Sequence, residues 1–491
     1  MELISMEMMV KAMDMISPYF LHVTLFYVSL SFLYLVLGWR NGSKAGSSCP
    51  LPPGKPGWPI LGESLDFLSA GRDGCPERFI SDRASKYSPD LFRTSLIGEN
   101  VAVFCGAPGN KFLFSGDNKY VKTWWPSSTK KALLFPETLE EFSKKDTKRM
   151  RSYLPDFLKP EALQYYVPIM DSMAKEHLAR EWSSPDGKVR VFPSAKDYTF
   201  NLACRLFMNI KDAHNIRKLS TPFANITPGL ASVPINVPGT PFNKAVEGGK
   251  KIRAELIDVI RKRKAEIARG EDENARDLLT RLLKESEENE MEISNKIIGL
   301  LVASHDTTST AITVVVNYLA QYPNIYDRVY HEQMEIAKSK RKGETLTWED
   351  IQKMKYSWNV ACESMRLSPP AQGAFREAVS DFTFAGFTVP KGWKAFWTVY
   401  TTHKNPKYFP DPEKFDPSRF EGSGPAPFTF VPFGGGPRMC PGKEYARLEI
   451  LAFMHNLVTT FKFEKADPNE KISYNPSPVL ANGLLLRLTG H

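Results

Sequence analysis

The stretch FGGGPRMCPG, at residues 433–442, restricts the fold more than any other part of this 491-residue sequence. Three consecutive glycines and two prolines exclude it from a regular helix or a central strand. The residues after Cys440, PGKEYARLEILAFMHNLV, have the apolar spacing of a helix. The stretch is therefore predicted to be a loop that brings Cys440 to the N-terminus of a helix, where the helix dipole favours a thiolate.

Three kinds of site compete as an explanation of this loop. A phosphate loop requires Lys-Ser or Lys-Thr at the start of the helix, and neither pair follows the glycines. A nucleophilic cysteine requires a nearby base, and the loop offers Arg438 but no histidine. A metal-thiolate site uses every feature, because glycines let the backbone approach a flat cofactor, N–H groups point at the sulfur and Arg438 neutralises an anionic group. We therefore favour a metal-thiolate site.

The pattern Phe433-x-x-Gly436-x-Arg438-x-Cys440-x-Gly442 resembles the cytochrome P450 family. The resemblance implies that the cofactor is haem b, with Cys440 as the axial thiolate ligand of its iron. It also implies that Phe433, Gly434 and Gly442 belong to the loop that binds the haem.

Two further motifs of this resemblance imply a buried ion network. Glu363 and Arg366 stand in the stretch ESMR, and Arg419 stands in FDPSRF. Because residues three apart share a helix face, the alternative is an ordinary surface pair. With the cysteine loop downstream, we expect a structural network that holds this loop and takes no part in the chemistry.

The stretch ASHDTT, at residues 303–308, places polar side chains within a long apolar helix pattern. One interpretation is a core kink made by a threonine bonded to a backbone carbonyl. The resemblance instead implies a groove over the haem, where Asp306 and Thr307 relay protons during oxygen activation. Ser304 replaces the glycine that is usual in the family, and either crowds this groove or adds a hydroxyl to the relay. No second histidine has the ligand spacing that would make His305 part of a metal site.

Haem propionates require cationic partners. By motif position these are Arg376 in GAFREA, Arg438, and Arg151 in TKRMRSYL, with Thr147 standing where many relatives carry tryptophan. The alternative for Arg151 is a solvated helix face.

The substrate is predicted to be a bulky, nearly uncharged hydrocarbon, because the apolar irregular stretches of the chain are poor in acids. The candidate pocket residues are Leu133, Leu134, Ala303, Val479 and Leu480. Stretches such as LPPGKPGWPILGESLDFL and VPINVPGTPFNKA resemble plant microsomal triterpenoid oxidases, the β-amyrin 28-monooxygenase-like group. The alternatives are another terpenoid scaffold (a sterol, diterpene or dammarane), a non-oxidative haem-thiolate isomerase, and a haem-thiolate sensor or carrier.

The implied reaction is monooxygenation, repeated at one methyl to give alcohol, aldehyde and acid. Its electrons would come from NADPH through a membrane-bound P450 reductase. Lys443 and Arg447, just after Cys440, either face an acidic reductase surface or are solvated helix charges.

The N-terminus predicts a membrane anchor at residues 17–39, because residues 18–39 contain no Asp, Glu, Lys or Arg. As a helix these 22 residues span about 33 Å, which is enough for a hydrocarbon core of roughly 30 Å. A cleaved signal peptide is the alternative, but no small-x-small cleavage site follows. The cations Arg40, Lys44 and Lys55 predict a short segment 1–16 on the far side of the membrane and a cytoplasmic catalytic domain. The resemblance to microsomal oxidases implies that this membrane is the endoplasmic reticulum and that segment 1–16 is lumenal.

The rest of the chain predicts one large, mainly α-helical domain with a minor β portion, residues 63–491, after a Pro/Gly-rich hinge at 40–62. Helices are expected from Leu163, from Lys250 and over 293–322, with a strand from Asn100 and a hairpin around Pro390-Lys391-Gly392. The formal charge of +9 suits an anionic membrane or an acidic partner. No zinc finger, RNA-binding signature or long basic run indicates nucleic acid as a partner. The six cysteines include no CxxC pair.

Overall fold

The structure is a computed structural model that describes residues 22–35, 49–58, 61–96, 98–126, 129–130, 154–183, 185–230, 232–271, 276–285, 288–475 and 477–491. Its α-helices are α1 His22–Leu35, α2 Ser64–Arg72, α3 Glu77–Lys86, α4 Gly106–Ser115, α5 Pro160–Glu181, α6 Val191–Met208, α7 Ala213–Phe223, α8 Ile226–Leu230, α9 Pro241–Ala268, α10 Leu278–Glu285, α11 Glu290–Gln321, α12 Pro323–Lys338, α13 Trp348–Lys353, α14 Lys355–Leu367 and α15 Lys443–Thr460.

Its strands are β1 Leu91–Leu96, β2 Glu99–Phe104, β3 Val121–Thr123, β4 Lys188–Arg190, β5 Gly373–Ala378, β6 Phe382–Phe384, β7 Phe387–Val389, β8 Lys394–Thr398, β9 Phe461–Lys465, β10 Ile472–Tyr474, β11 Pro478–Leu480 and β12 Leu485–Gly490. Mainly helical architecture with a minor β portion is therefore confirmed.

Helix α11 is the centre of the larger apolar core. It begins at a capping box, in which the side chain of Asn289 accepts from the Glu292 N–H and that of Glu292 accepts from the Asn289 N–H. Helices α6, α9, α14 and α15 pack around it. Because α11 is buried on nearly all sides, it reads as apolar along most of its length. The predicted helix at 293–322 is this element.

A smaller apolar core surrounds the five-stranded sheet, whose strand order is β1-β2-β8-β5-β3. Strand β2 contains the run predicted from Asn100, and it pairs in parallel with β8. The other described strands form the sheets β4-β12-β9, β10-β11 and β6-β7.

The predicted hairpin turn at Pro390-Lys391-Gly392 is wrong. Strands β6 and β7 form the hairpin, and Phe384 pairs with Phe387 across the turn residues Ala385 and Gly386. Both turn residues have positive φ, 48° and 80°, which is the requirement of a tight two-residue hairpin. Residues 390–392 instead connect β7 to β8, which belongs to the five-stranded sheet.

The predicted anchor lies partly outside the described residues. Its described part is α1, a 14-residue apolar helix about 21 Å long that falls short of a hydrocarbon core by itself. Among described helices only α11 is long and apolar enough to cross a membrane, and 61% of its most apolar window is buried inside the protein. A membrane-spanning N-terminal helix therefore stays a prediction.

Candidate active site

The cysteine loop, residues 431–442, is closed by its own backbone. The Gly434 N–H donates to the Val431 carbonyl at 2.9 Å, and the Cys440 N–H donates to the Phe433 carbonyl at 2.9 Å. Helix α15 begins at Lys443, so Cys440 lies just before the helix N-terminus, as the sequence predicted. The Cys440 side chain is partly exposed, and a Cβ at Gly442 would lie 3.9 Å from its Sγ. The loop therefore presents the thiol at a helix N-terminus.

Two of the consecutive glycines in this loop are required because Phe114 packs closely against their backbone. A Cβ at Gly435 would lie 2.4 Å from the Phe114 ring, and a Cβ at Gly436 would lie 2.2 Å from the Phe114 carbonyl. Gly436 also has a φ of 65°, which favours glycine. These two glycines make room for the end of α4. Gly434, with a φ of 69°, instead lies against the Trp397 ring.

Arg438 is tied to a buried carboxylate. Its Nε donates to Asp117 Oδ2 at 2.8 Å, and the Asp117 side chain is only 3% exposed. Asn118 Nδ2 donates to the same oxygen at 3.1 Å. Because Asp117 uses Nε, the Nη groups of Arg438 are the donors that this side chain can offer to a further anion.

The other predicted propionate partners are only partly described. Arg376 lies on β5, is 8% exposed, and its Nη1 donates to the Phe375 carbonyl at 3.0 Å. Arg151, Thr147 and the pocket candidates Leu133 and Leu134 lie outside the described residues.

Glu363 and Arg366 form a buried ion pair on α14. Arg366 Nε and Nη2 donate to the Glu363 carboxylate at 2.7 and 2.8 Å, and both side chains are fully buried. Arg419 Nε lies 3.5 Å from Glu363 Oε1, at ion-pair distance but without hydrogen-bond alignment, while its Nη2 donates to the Asp411 carbonyl. The geometry is that of a buried network and not of a surface pair.

The ASHDTT stretch lies in an uninterrupted part of α11. Thr307 Oγ1 donates to the Ala303 carbonyl at 2.6 Å, which is the carbonyl-bonded arrangement considered for the sequence. Yet Ala303 and Thr307 are exposed, whereas His305 and Thr308 between and beside them are buried. Since residues four apart share a helix face, Ala303 and Thr307 form one exposed face of α11 at this point, called the open face below. Ser304 is partly buried, and its hydroxyl donates to the Leu301 carbonyl.

Asp306, three residues after Ala303 on α11, is held by two neighbouring helices. Thr227 Oγ1 on α8 donates to Asp306 Oδ2 at 2.6 Å, and Lys196 Nζ on α6 lies 3.3 Å from Oδ1. Next to it, His305 Nδ1 lies 2.8 Å from Thr199 Oγ1, and burial lowers the pKa of this histidine to about 4. At neutral pH the His305 imidazole of this cluster is therefore neutral.

No sequence pattern indicated four residues of this site, which are Asp117, Lys196, Thr227 and Trp397. Thr227 lies 79 positions from its partner Asp306, and Asp117 lies 321 positions from its partner Arg438. Lys196 and Trp397 also lie in stretches without a motif. Of the pocket candidates near the C-terminus, Val479 is partly exposed, and Leu480 is 2% exposed in the larger core.

The described residues fit a haem bound through Cys440. The thiol is partly exposed, and the arginines predicted to bind the propionates lie on the cysteine loop and on β5. Trp397 Nε1, beside Gly434, is a buried donor without a hydrogen-bond partner among the described residues. A buried donor of this kind is expected where a bound group with acceptor oxygens completes the site.

Comparison with known proteins supports this arrangement. The family model described as Cytochrome P450 matches residues 52–487. A β-amyrin 28-monooxygenase of Solanum lycopersicum is 56% identical over 96% of this chain and 98% of its own length. A β-amyrin 6-beta-monooxygenase of the same plant is 56% identical over 97% of this chain and 99% of its own. A solved structure of retinoic acid-bound cyanobacterial CYP120A1 has a TM-score of 0.80 and 33% identity, covering 90% of this chain and all of that one.

Proposed function

This chain belongs to the cytochrome P450 family, and we propose that it is a monooxygenase of cyclic triterpenes that oxidises β-amyrin at C-28. The observation that carries the proposal is identity of 54–56% over nearly the whole chain to β-amyrin 28-monooxygenases from several plants. Identity at this level spans every element around the candidate site and does not rest on the haem motif alone.

Haem bound to Cys440 supplies the activation of O2 with two electrons. The chain holds this group with the loop that presents the Cys440 thiolate, and Arg376 and Arg438 bind its propionates by charge-assisted hydrogen bonds. Asp117 orients Arg438 through Nε and leaves the Nη groups for the propionate. The buried network of Glu363, Arg366 and Arg419 holds the cysteine loop in place and takes no part in the chemistry.

Thr307 and Asp306 move protons to the oxygen-binding side. The Thr307 hydroxyl lies on the open face of α11, and the Asp306 carboxylate lies one residue away with Lys196 and Thr227 on it. Lys196 is 36% exposed and therefore connects this carboxylate to solvent. Substrate packs against the same open face, at Ala303 and, in our proposal, at Val479.

Oxidation at C-6 in the β orientation is the second candidate, because the β-amyrin 6-beta-monooxygenase is as similar to this chain as the 28-monooxygenases are. The same skeleton bound in one of two orientations would bring either C-28 or C-6 to the site of oxidation. Discrimination between two positions of one skeleton requires only about 1–3 kcal/mol of differential contact in an apolar pocket.

Membrane attachment through residues 17–39 is also part of the proposal. It is supported by the apolar character of α1 and by exposed apolar side chains on the described body. These are Trp58, Leu61, Leu65, Val233, Ile235 and Val237. Exposed apolar surface of this kind suits a body that rests on a lipid surface.

An NADPH-dependent P450 reductase is the proposed electron donor. Lys443 is exposed at the start of α15, where an acidic surface can reach it. Arg447 is only 14% exposed in its side chain and is paired with Glu444, so it contributes little to such a surface.

The test is expression with a plant NADPH reductase in yeast strains that make β-amyrin, α-amyrin, lupeol or a dammarane. We expect a C-28 alcohol, aldehyde or acid of β-amyrin by mass spectrometry and NMR. A Cys440→Ser variant is the control and should give none. If all four skeletons are unchanged while the reduced, CO-bound haem has its thiolate spectrum, the triterpene proposal is wrong and the enzyme class stands.

A further inference from the structure

We propose that His403 is a positioning residue that fixes the entrance of the cysteine loop, acting as a neutral imidazole whose Nε2 accepts a backbone hydrogen bond. The inference rests on Cys440 being the haem ligand. It assigns a role to a histidine that no motif of the sequence indicated.

His403 receives a hydrogen bond from the first residue of the loop. The Val431 N–H donates to His403 Nε2 at 2.9 Å, and His403 is fully buried. The Val431 carbonyl in turn accepts from Gly434, and the Phe433 carbonyl accepts from Cys440. One side-chain acceptor therefore sets the point from which the whole closed loop starts.

The same residue is bonded to the buried ion pair. Arg366 Nη1 donates to the His403 backbone carbonyl at 2.7 Å, while its Nε and Nη2 hold Glu363. Glu363 and Arg366 lie on a helix of the larger apolar core, whereas Val431 belongs to the smaller one. His403 thus joins the ion pair to the cysteine loop by direct hydrogen bonds.

The contacts determine the protonation state that this role requires. Because Nε2 accepts a bond, the ring proton must be on Nδ1. A second proton on Nε2 would face the Val431 N–H and break the bond. Burial, followed by the neighbouring Arg366 charge, lowers the pKa of His403 to about 3, which agrees with a neutral ring.

The His403 ring also packs against a neighbouring ring, and the experiment must distinguish this packing from the role of Nε2 as a hydrogen-bond acceptor. Phe430 stacks on His403 with ring centroids 5.2 Å apart, and Phe420 meets Phe430 edge-on with centroids 4.7 Å apart. A phenylalanine at position 403 keeps this stack and loses the acceptor. A glutamine loses the ring but brings an amide oxygen to about the place of Nε2, whereas an asparagine reaches only to Nδ1.

The experiment compares His403→Gln, His403→Phe and His403→Asn with the wild type, as purified haem-loaded full-length protein. The first measurement is amide hydrogen exchange of the peptide containing Val431 and Gly434. The second is the spectrum of the reduced, CO-bound haem, which distinguishes thiolate from thiol ligation of Cys440. Neither depends on substrate turnover.

We expect the exchange of this peptide to be about tenfold faster in the Phe and Asn variants and close to wild type in the Gln variant. The thiolate band should fall by roughly half or more in the first two and be restored by Gln. If the Phe variant keeps both wild-type exchange and the full thiolate band, the acceptor role is wrong. If Gln fails as badly as Asn, with exchange raised throughout the domain, the ring acts only by packing and the proposal is also wrong.

These outcomes are separable from failure of the proposed function. A wild-type protein with a thiolate spectrum and no triterpene product contradicts the substrate proposal and leaves the role of His403 open to the same two measurements. A wild-type protein without any thiolate spectrum would overturn both.

Discussion

Replacement of Arg366 by methionine tests the buried network most sharply. In the folded protein this side chain donates to Glu363 at 2.7 and 2.8 Å, to the His403 carbonyl at 2.7 Å and to the Lys414 carbonyl at 3.2 Å, all without exposure to solvent. Arg366→Met leaves a buried carboxylate with the Asp416 N–H as its remaining donor in hydrogen-bond geometry among the described residues. Breaking a buried pair in this way costs about 3–5 kcal/mol.

The double variant Glu363→Leu/Arg366→Met gives the sharper comparison. Removing both charges also removes the unpaired carboxylate, so we expect the double variant to be no less stable than Arg366→Met alone. The coupling energy between the two positions should then be about 3 kcal/mol or more. An apolar pair restores packing but leaves two carbonyls and one N–H without partners, so full recovery is not expected.

The assay is urea unfolding followed separately by far-UV circular dichroism and by loss of the haem band, since a chain of this size need not unfold in one step. Arg78→Met is the matched control, because the Arg78–Asp73 pair has a similar distance of 2.6 Å but both side chains are 51% exposed. That variant should unfold like the wild type. If the loss of unfolding free energy in the double variant equals the sum of the losses in the two single variants, the reasoning is refuted.

Three other perturbations follow from the site. Thr227→Val removes the donor to Asp306 and should lower the product formed per NADPH by up to about tenfold, while Thr227→Ser keeps the coupling. Asp117→Asn takes the charged partner from Arg438 and should cost about 1.5–3 kcal/mol, measured as a lower melting temperature of the haem-loaded protein. Burial lowers the pKa of His177, His305 and His455 to about 4. Because the unfolded chain takes up protons from about pH 6.5 downward, the free energy of unfolding should be full above that pH and fall toward pH 4 by up to about 1.4 kcal/mol per pH unit and histidine.

Each of these expectations has a contrary result. Equal coupling in the Val and Ser variants would remove Thr227 from the proton path. An Asp117→Asn protein as stable as the wild type would mean that Arg438 has its partner elsewhere. Stability that stays constant between pH 7 and pH 5 would contradict the assignment of neutral buried histidines.

Local patterns predicted the elements whose formation depends on neighbouring residues. The glycine-rich loop before α15 and the helix predicted over 293–322, which the structure has at Glu290–Gln321, are written in spacing along the chain. The pair of Glu363 and Arg366 was expected to be buried only through the family resemblance, because spacing alone also allowed a surface pair. The hairpin turn was misplaced by five residues since Pro-Lys-Gly is a strong turn signal, whereas Ala385 takes positive φ only because the strand register demands it.

Contacts between distant segments could not be predicted. Nothing near Thr227 marks it as the donor to Asp306, and nothing near Asp117 marks it as the partner of Arg438. His403 receives the Val431 N–H from 28 positions away. The glycines at 435 and 436 show the same limit, because the sequence assigned them to a cofactor, and the approach of Phe114 that requires them is visible only in the fold.

The proposed activity is tested most directly by incubating the purified protein and an NADPH reductase with β-amyrin under ¹⁸O2. A monooxygenase of C-28 must place one ¹⁸O atom in the alcohol formed by the first hydroxylation, and NMR must locate this alcohol at C-28. Unlabelled alcohol, or no product from a protein whose reduced CO spectrum shows the thiolate, would contradict the proposal. Labelled product at C-6 would keep the enzyme and the skeleton and replace the position.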